Sequence, residues 1–453
     1  MIEFPFQLLI KRISGEGKES LMCTALLRIV PGSREIYDAQ WGGRGVIAKV
    51  FFHKINAWRH FEKECRGLRL LGERGLSSPE LLFSGEAEDG RWVVVVERIE
   101  DSSTVQDALG KRVEKAARLD LLTLVCKELA RQHNKGVLQR DLHLGNFLLG
   151  GDKVFALDAG QMRFFSRPIG RRKSICQLAM LVCCLPSGDE EPVTRLCEEY
   201  FKARGWQFGK SDEVLFEKQL TVHRKRGVDN GLKKCLRTSK RHLRIKADRY
   251  FAVFDRGFCE EVEPLDFIKQ IDSLMDKGRI LKEGRTSYVS SLRWNGRDVV
   301  IKRYNHKGFI HSLRHTIKRS RAHRGWLHAH RLRMLKIATP RPLAYIEQRK
   351  GSLLWKSYLI TEYVKGQKLY DFLRDSKIGQ EERSRVTGKV KELLNKLGEH
   401  RITHGDLKHS NILITEDGPV LTDLDGMQVH RYGWLYKVYQ AKDRAHLPFT
   451  GRE

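Results

Sequence analysis

The chain has no hydrophobic run that could cross a membrane. Its longest nearly apolar stretch, Ile175 to Pro186, falls short of the roughly 20 residues a span needs. Met1 to Arg12 lacks a basic segment followed by an apolar core and a small-residue cleavage site, so no signal peptide is read there. The nine cysteines (23, 65, 126, 176, 183, 184, 197, 235 and 259) form no CxxC. Without paired spacing a zinc site is not expected, and the odd number fits buried free thiols in a reducing cytosol. There is no low-complexity segment and no complete G-x-G-x-x-G. Acid is the scarce charge, with 56 Asp and Glu against 84 Lys and Arg.

At 453 residues, 41% hydrophobic and 31% charged, the composition is that of a soluble globular protein of about two or three domains. The net charge of +28 is concentrated. Residues 221–250 carry +9, and residues 302–336 carry +11 with no acid at all. Two such runs imply a polyanionic partner: nucleic acid, an anionic membrane surface or a phosphorylated glycan. A nucleic-acid partner is not expected, because basic and aromatic residues do not interleave and no recognition motif is present. The six histidines between His306 and His330 (306, 311, 315, 323, 328 and 330) lack a ligand-like spacing.

A polar series occurs twice. Glu97, Asp141, Asn146 and Asp158 reappear as Glu362, Asp406, Asn411 and Asp423, each offset by 265 positions. That interval is far longer than a solenoid period of roughly 20–50 residues, so it reads as a duplicated domain. Around the series the element order repeats as well. Leu26–Val30 and Val46–Phe52, the latter with Lys49, read as strands; a helix follows from about His60 to Arg74, then the β-branched run Val93–Val96. Helices are expected over Leu121–His133 and Ile175–Leu185. In the second half, Tyr288–Arg293 and Val299–Arg303 are strands, the latter with Lys302; Tyr358–Val364 matches Val93–Val96, and Arg385–Gly398 is helical. A long basic helix is expected from about His311 to Lys336. Its Trp326, Leu327, Leu332, Met334 and Leu335 either lie at an interface or pack into their own lobe. The boundary falls near 262–275.

Transfer of a γ-phosphoryl group needs a cation on the α/β-phosphates, a carboxylate at the attacking hydroxyl and hard oxygen ligands for Mg²⁺. The first half offers Lys49, Asp141 in Gln139-Arg140-Asp141-Leu142-His143-Leu144-Gly145-Asn146, and Asp158 in Leu157-Asp158-Ala159-Gly160. The second offers Lys302, Asp406 in His404-Gly405-Asp406-Leu407-Lys408-His409-Ser410-Asn411, and Asp423 in Thr422-Asp423-Leu424-Asp425-Gly426. Capping and turn roles suit isolated Asp and Asn, but they do not generate an ordered repeat. The series resembles the protein-kinase set of strand Lys, Asp-x₄-Asn loop and Asp-Phe-Gly turn.

That resemblance implies an α+β fold of two tandem protein-kinase-like bilobal domains. Each has a small β-rich N-lobe and a helical C-lobe: residues 1–265 (N-lobe about 20–98, C-lobe about 99–265) and 272–453 (N-lobe about 275–362, C-lobe about 363–453). It further implies Asp141 and Asp406 as catalytic bases. Asn146 with Asp158, and Asn411 with Asp423, become Mg²⁺ ligands. Lys49 and Lys302 grip ATP, and Glu97 and Glu362 stand at the hinge. Glu64 is placed to pair with Lys49, with Glu62 as a near alternative. Residues 303–346 contain no acid, so Lys302 has no helix partner and Gly325 stands where one is expected. Pro31-Gly32-Ser33 and Glu283-Gly284-Arg285-Thr286-Ser287 are weak substitutes for a glycine loop, with Arg34 and Arg285 as added charge or plain turn residues. Asp425 is either a turn residue or an extra metal ligand.

Ala338-Thr339-Pro340-Arg341-Pro342, His404-Gly405-Asp406-Leu407-Lys408 and Leu421-Thr422-Asp423-Leu424-Asp425-Gly426-Met427 are similar to the bacterial lipopolysaccharide core kinases, the heptose/Kdo kinase family. Asp141-Leu142-His143-Leu144-Gly145-Asn146-Phe147-Leu148-Leu149 resembles the same family. The resemblance is weakest over 187–262. It implies ATP- and Mg²⁺-dependent phosphorylation of an inner-core sugar hydroxyl at the cytoplasmic face of the inner membrane. The partners would be lipopolysaccharide core glycolipid and an anionic membrane surface. Other readings are a protein or small-molecule kinase, or one active domain beside a degenerate scaffold.

Overall fold

The computed structural model describes residues 3–12, 18–30, 32–52, 56–112, 114–185, 190–247, 249–259, 263–305, 319–351, 353–445 and 447. The chain forms two compact units, Met1–Lys225 and Arg226–Glu453. The boundary expected near 262–275 therefore falls inside the second unit. Strands of residues 242–255, expected to close the first half, hydrogen-bond into the second unit's sheet.

The first unit opens with β1 (Phe6–Arg12), β2 (Lys18–Val30), β3 (Arg34–Trp41) and β4 (Arg44–Phe51), then α1 (Ala57–Glu73), β5 (Leu81–Ala87) and β6 (Trp92–Glu97). The six strands close an antiparallel barrel in the order β1-β2-β3-β4-β6-β5. The unbroken valine run of β6 has a simple cause. Val93 and Val95 fill the barrel with Ile10, Leu21, Tyr37 and Phe83. Val94 and Val96 point the other way and meet Phe61, Leu68 and Leu71 of α1. Both faces are dry, so alternation is lost; each fully buried valine contributes about 1.5–3 kcal/mol.

The remainder of this unit is mainly helical. β7 (Ser103–Thr104) leads into α2 (Val105–Lys111), whose N-terminus is capped by Thr104 accepting from Asp107 N at 3.1 Å. Then come α3 (Lys115–Asn134), β8 (Val137–Gln139), the hairpin β9 (Phe147–Gly150) and β10 (Lys153–Ala156), and β11 (Met162–Phe164). α4 (Arg171–Val182), α5 (Glu190–Ala203) and α6 (Lys210–Lys234) follow. Leu121, Val125, Leu129, Ile175, Leu178 and Tyr200 form their shared core.

The second unit is built on a seven-stranded open antiparallel sheet rather than a barrel. Its elements are β12 (His242–Ala247), β13 (Tyr250–Asp255), α7 (Arg256–Cys259), α8 (Pro264–Lys277), β14 (Arg279–Glu283), β15 (Ser287–Trp294) and β16 (Arg297–Asn305). α9 (Arg321–Met334), β17 (Pro342–Lys350) and β18 (Leu353–Glu362) complete this part. The sheet order is β12-β13-β17-β18-β16-β15-β14. α9 begins after Ser320, whose hydroxyl accepts from His323 N at 3.0 Å. Of the long helix expected over 311–336, residues 311–318 lie outside the described residues, as do His306 and Pro31 of the first glycine turn. Trp326 and Leu332 of α9 are fully buried in their own unit. The interface reading of that apolar face is thereby corrected: Trp326 packs with Val253, Tyr304 and Tyr345.

Beyond the sheet lie β19 (Gln367–Lys368), α10 (Leu369–Arg374), α11 (Gln380–Glu399), β20 (Ile402–Thr403), the hairpin β21 (Ile412–Thr415) and β22 (Gly418–Leu421), β23 (Gln428–Val429) and α12 (Gly433–Ala445). Val386, Val390 and Leu397 of α11 pack on Ile412, Leu421 and Leu424. The mixed α and β character expected from the sequence is what the chain shows. Cys23, Cys65, Cys126, Cys197 and Cys235 are buried free thiols.

Candidate active site

In the first unit, β4 carries Lys49 opposite Val94 of β6. Pleating turns the side chain toward α1, where it is buried and ion-paired with Glu64. Glu62, the alternative partner, is exposed. The second oxygen of Glu64 accepts from Gly160 N at 3.1 Å. A Cβ on Gly160 would sit 2.8 Å from that oxygen, and one on Gly67 of α1 would sit 2.5 Å from Ala159 O. Two glycines thus let the helix lie directly on the Asp158–Gly160 turn. Burial by itself would raise the Glu64 carboxyl; Lys49 and Arg34 outweigh it and hold the pKa below the usual range. Arg34, at the start of β3, reaches Asp158 Oδ1 at 2.5 Å and comes within 4.0 Å of Glu64. Asp158 sits at φ 54°, a left-handed conformation uncommon for a non-glycine residue and frequent at functional sites.

A cleft of about 470 Å³ opens beside this cluster. Ile36, Ile47, Val96 and Leu148 line its apolar part, Glu97 its rim, and Lys49, Asn146 and Asp158 its polar part. Such an apolar slot leading to a cation and oxygen ligands suits a nucleotide with its phosphates. Asn146 donates through Nδ2 to Asp141 O at 2.7 Å, which leaves its carbonyl oxygen to offer a cation. That bond also ties the Asp141 loop to the cleft. The Asp141 carboxylate itself is exposed, 3.8 Å from His143 Nε2. Glu97 Oε2 accepts from Glu80 N at 3.4 Å.

The second unit repeats the loop and changes the ion pairing. Asn411 Nδ2 donates to Asp406 O at 2.8 Å and lies 3.3 Å from Asp406 Oδ2. Lys408 Nζ donates to the same carboxylate oxygen at 2.8 Å. Asp423 has φ 60°, like Asp158. Lys302 on β16 is ion-paired with Asp423 and lies 3.9 Å from Asp425. Asp425 is buried and accepts from Arg321 Nε of α9 at 2.6 Å. The charges are therefore inverted between the units. In the first, the helix supplies the acid; in the second, the turn supplies it and the helix supplies an arginine. A Cβ on Gly325, which stands where a helix acid is expected, would sit 2.8 Å from Leu359 Cδ2 and 4.0 Å from Asp425 Cβ. Asp425 is thus a buried, ion-paired turn residue. Lys302 has no helix acid and pairs instead with the turn acids, Asp423 closely and Asp425 at 3.9 Å. Burial raises the Asp425 carboxyl, while its neighbour Asp423, against the same burial, is held low by hydrogen bonding to Asp425 and by Lys302. Glu362 accepts from Arg341 Nη1 at 3.4 Å.

Two contributors to the site escaped the sequence reading. Arg321 was one basic residue among many. Asp443 of α12 accepts from His404 N at 2.6 Å and Gly405 N at 2.9 Å, fixing the Asp406 loop from far along the chain. Gly405 has φ 80°, and a Cβ there would meet Gly426 O at 2.4 Å. Only glycine fits, so the His-Gly-Asp sequence is a backbone requirement. Only Met427 to Tyr432 separate the turn from α12, and two of them form β23.

Residues 272–431 match the model of the lipopolysaccharide kinase (Kdo/WaaP) family. The matched stretch contains Lys302, Asp406, Asn411 and Asp423, and the match supports a phosphotransferase. No curated protein matches the chain. The kinase domain of PknI from Mycobacterium tuberculosis is similar over 44% of this chain and 95% of that domain, at 16% identity and a TM-score of 0.29.

Proposed function

We propose that the chain transfers phosphate from MgATP to a sugar hydroxyl, heptose or Kdo, of the lipopolysaccharide inner core. The reaction would take place at the cytoplasmic face of the inner membrane. The observation that carries this is the pairing of Lys302 with Asp423 and of Asn411 with Asp406 in the stretch that matches the family model. In this reading the first unit is the other of two tandem kinase-like domains, with its own nucleotide cleft. Exposed Trp434, Tyr432 and Val438, beside Arg431 and Lys437, support peripheral docking on an anionic bilayer.

In this reading each residue has a task set by its contacts. Lys49 and Lys302 neutralise the α/β-phosphates, each prevented from drifting by a buried acid. The oxygens of Asn146 with Asp158, and of Asn411 with Asp423, are a hard donor set suited to Mg²⁺, which when bound spreads the charge of the transferring group. Asp406 accepts the proton of the attacking hydroxyl, and Asn411 holds its carboxylate in place. Lys408, 2.8 Å from that carboxylate, is positioned to meet the γ-phosphoryl as charge develops. Asp141 has His143 in the corresponding place.

The test is transfer of radiolabelled phosphate from ATP to dephosphorylated core lipopolysaccharide by wild type, Asp141→Asn, Asp406→Asn and the double variant. Loss of label with Asp406→Asn supports the reading. Folded wild-type protein that labels no core glycolipid overturns it. One observation favours a division of labour: the stretch that matches the family model lies in the second unit, whereas the cleft described above lies in the first. Label that depends on one aspartate alone would identify the other unit as a scaffold.

A further inference from the structure

The second unit contains a cluster that phosphoryl transfer does not use. Cys235 follows α6, His242 opens the edge strand β12, and His330 lies on α9. Each can offer one ligand atom, and these atoms all lie within 4.8 Å of one another. Cys235 is 2% exposed and His242 5% exposed. Both ring nitrogens of His242 and Nε2 of His330 are buried with no hydrogen-bond partner. Buried polar atoms without partners are rare, because each forfeits its hydration. Three of them on two rings beside one buried thiol call for a reason.

We infer that Cys235, His242 and His330 form a binding site for a borderline transition-metal ion, Zn²⁺ above all, with water as fourth ligand. Thiolate and imidazole are the donors such ions select, whereas Mg²⁺ and Ca²⁺ require oxygen. With Zn–S near 2.3 Å and Zn–N near 2.1 Å, tetrahedral ligand atoms stand about 3.4–3.6 Å apart. The present spacing therefore needs to close by at most about 1.4 Å, within reach of side-chain rotation. Burial keeps both imidazoles neutral, so their lone pairs are available. Burial also pushes the Cys235 thiol up to about 11. Binding therefore breaks the S–H bond, forms S–Zn and releases one proton to solvent, so apparent affinity rises with pH. Arg241, Arg333 and Arg341 lie near and oppose a cation; Asp255 and the new thiolate offset them. Trp326 closes the site: its ring is 4.3 Å from His330 and its Nε1 donates to Cys235 O at 3.1 Å.

The ion would clamp α9 to the edge of the sheet. α9 also carries Arg321, the partner of Asp425. The site is thus structural, holding the helix that reaches the nucleotide end of the second unit. It needs no paired cysteine spacing, since its ligands come from a loop, a strand and a helix. This is why reading the cysteines and the histidines separately excluded it.

The experiment uses the full chain, purified under reducing conditions without chelator, and Zn²⁺ and Co²⁺ as probes. Elemental analysis should give about one zinc per chain. Co²⁺ exchange should give a thiolate-to-metal charge-transfer band that Cys235→Ser abolishes while circular dichroism stays unchanged. His330→Gln should weaken Zn²⁺ at least about tenfold against a competing chelator dye. The midpoint of thermal unfolding should rise with Zn²⁺ in wild type and not in Cys235→Ser. If Cys235→Ser does not fold, His242→Gln replaces it in the same assays. Folded wild type that retains no zinc, shows no charge-transfer band and does not respond to Zn²⁺ overturns the site. A band that survives both Cys235→Ser and His242→Gln places the metal elsewhere and overturns it equally.

Discussion

At the scale of single residues, the buried pairs around Lys49 and Lys302 do two jobs that mutation separates. Glu64 is 1% exposed, so removing its charge leaves Lys49 buried and unpaired. Glu64→Gln should cost about 3 kcal/mol of stability and raise the apparent KM for ATP. Lys49→Met combined with Glu64→Leu should regain most of that stability and bind no nucleotide in the first cleft. Thermal unfolding and a fluorescent-nucleotide titration check both halves of this expectation. In the second unit Arg321→Ala should act as Glu64→Gln does in the first, because Asp425 loses its 2.6 Å partner. The measurement is kcat and KM for ATP, and a variant with wild-type values of both refutes the inverted pair. Lys49, Glu64 and the two Asp-x₄-Asn loops were legible because local spacing carries them. Arg321 and Asp443 were not, because nothing local distinguishes a charge that will be used 104 or 39 positions away.

At the scale of elements, α3 carries two buried groups with opposite responses to pH. Burial raises the Glu128 carboxyl to about 7, and burial together with Arg204 lowers His133 to about 3. Folded Glu128 keeps its proton above the point where the unfolded chain releases it, so its contribution to stability falls as pH rises from about 4.5 to 7. Folded His133 stays neutral while the unfolded chain protonates, so its contribution falls as pH drops from about 6.5 to 3. Between about 4.5 and 6.5 the two slopes, each at most about 1.4 kcal/mol per pH unit, nearly cancel. Glu128→Gln leaves the histidine slope uncovered. Its unfolding midpoint should drop several degrees more than that of wild type between pH 6.5 and 5 by calorimetry. Equal drops would show that one of the two groups titrates normally. Strand and helix positions were legible here because burial imposes its period. Closure of the barrel was not, since it depends on β1 pairing with β5, about 75 residues apart. The basic character of α9 concealed that Trp326 and Leu332 belong to the core.

At the scale of the whole molecule, duplication and charge make two expectations. Calorimetric titration with a non-hydrolysable MgATP analogue should saturate at about two per chain if each unit keeps a working nucleotide site. A value near one that Lys302→Ala leaves unchanged would restrict binding to the first unit. A net charge of +28 should bind anionic vesicles in a salt-dependent way, with affinity falling at least tenfold between about 50 and 200 mM salt. Binding that ignores salt would leave exposed Tyr432, Trp434 and Val438 as the main contact. The repeated polar series was legible from the 265-residue offset, but the division between units was not. Its position is fixed by β12 and β13 joining β17, a pairing across some 90 residues that no local signal announces.

The brevity of the connection from the Asp423 turn to α12 bears on regulation. Many kinases are switched on when a segment after this turn is modified and a new phosphate pairs with arginine. Six residues, two of them held in a strand, leave no length for such a segment. The position before Asp406 is a glycine that tolerates no side chain. Among the described residues, a switch of this kind has no room between the turn and α12. If the second unit transfers phosphate, its rate is then set by how often nucleotide and acceptor arrive together.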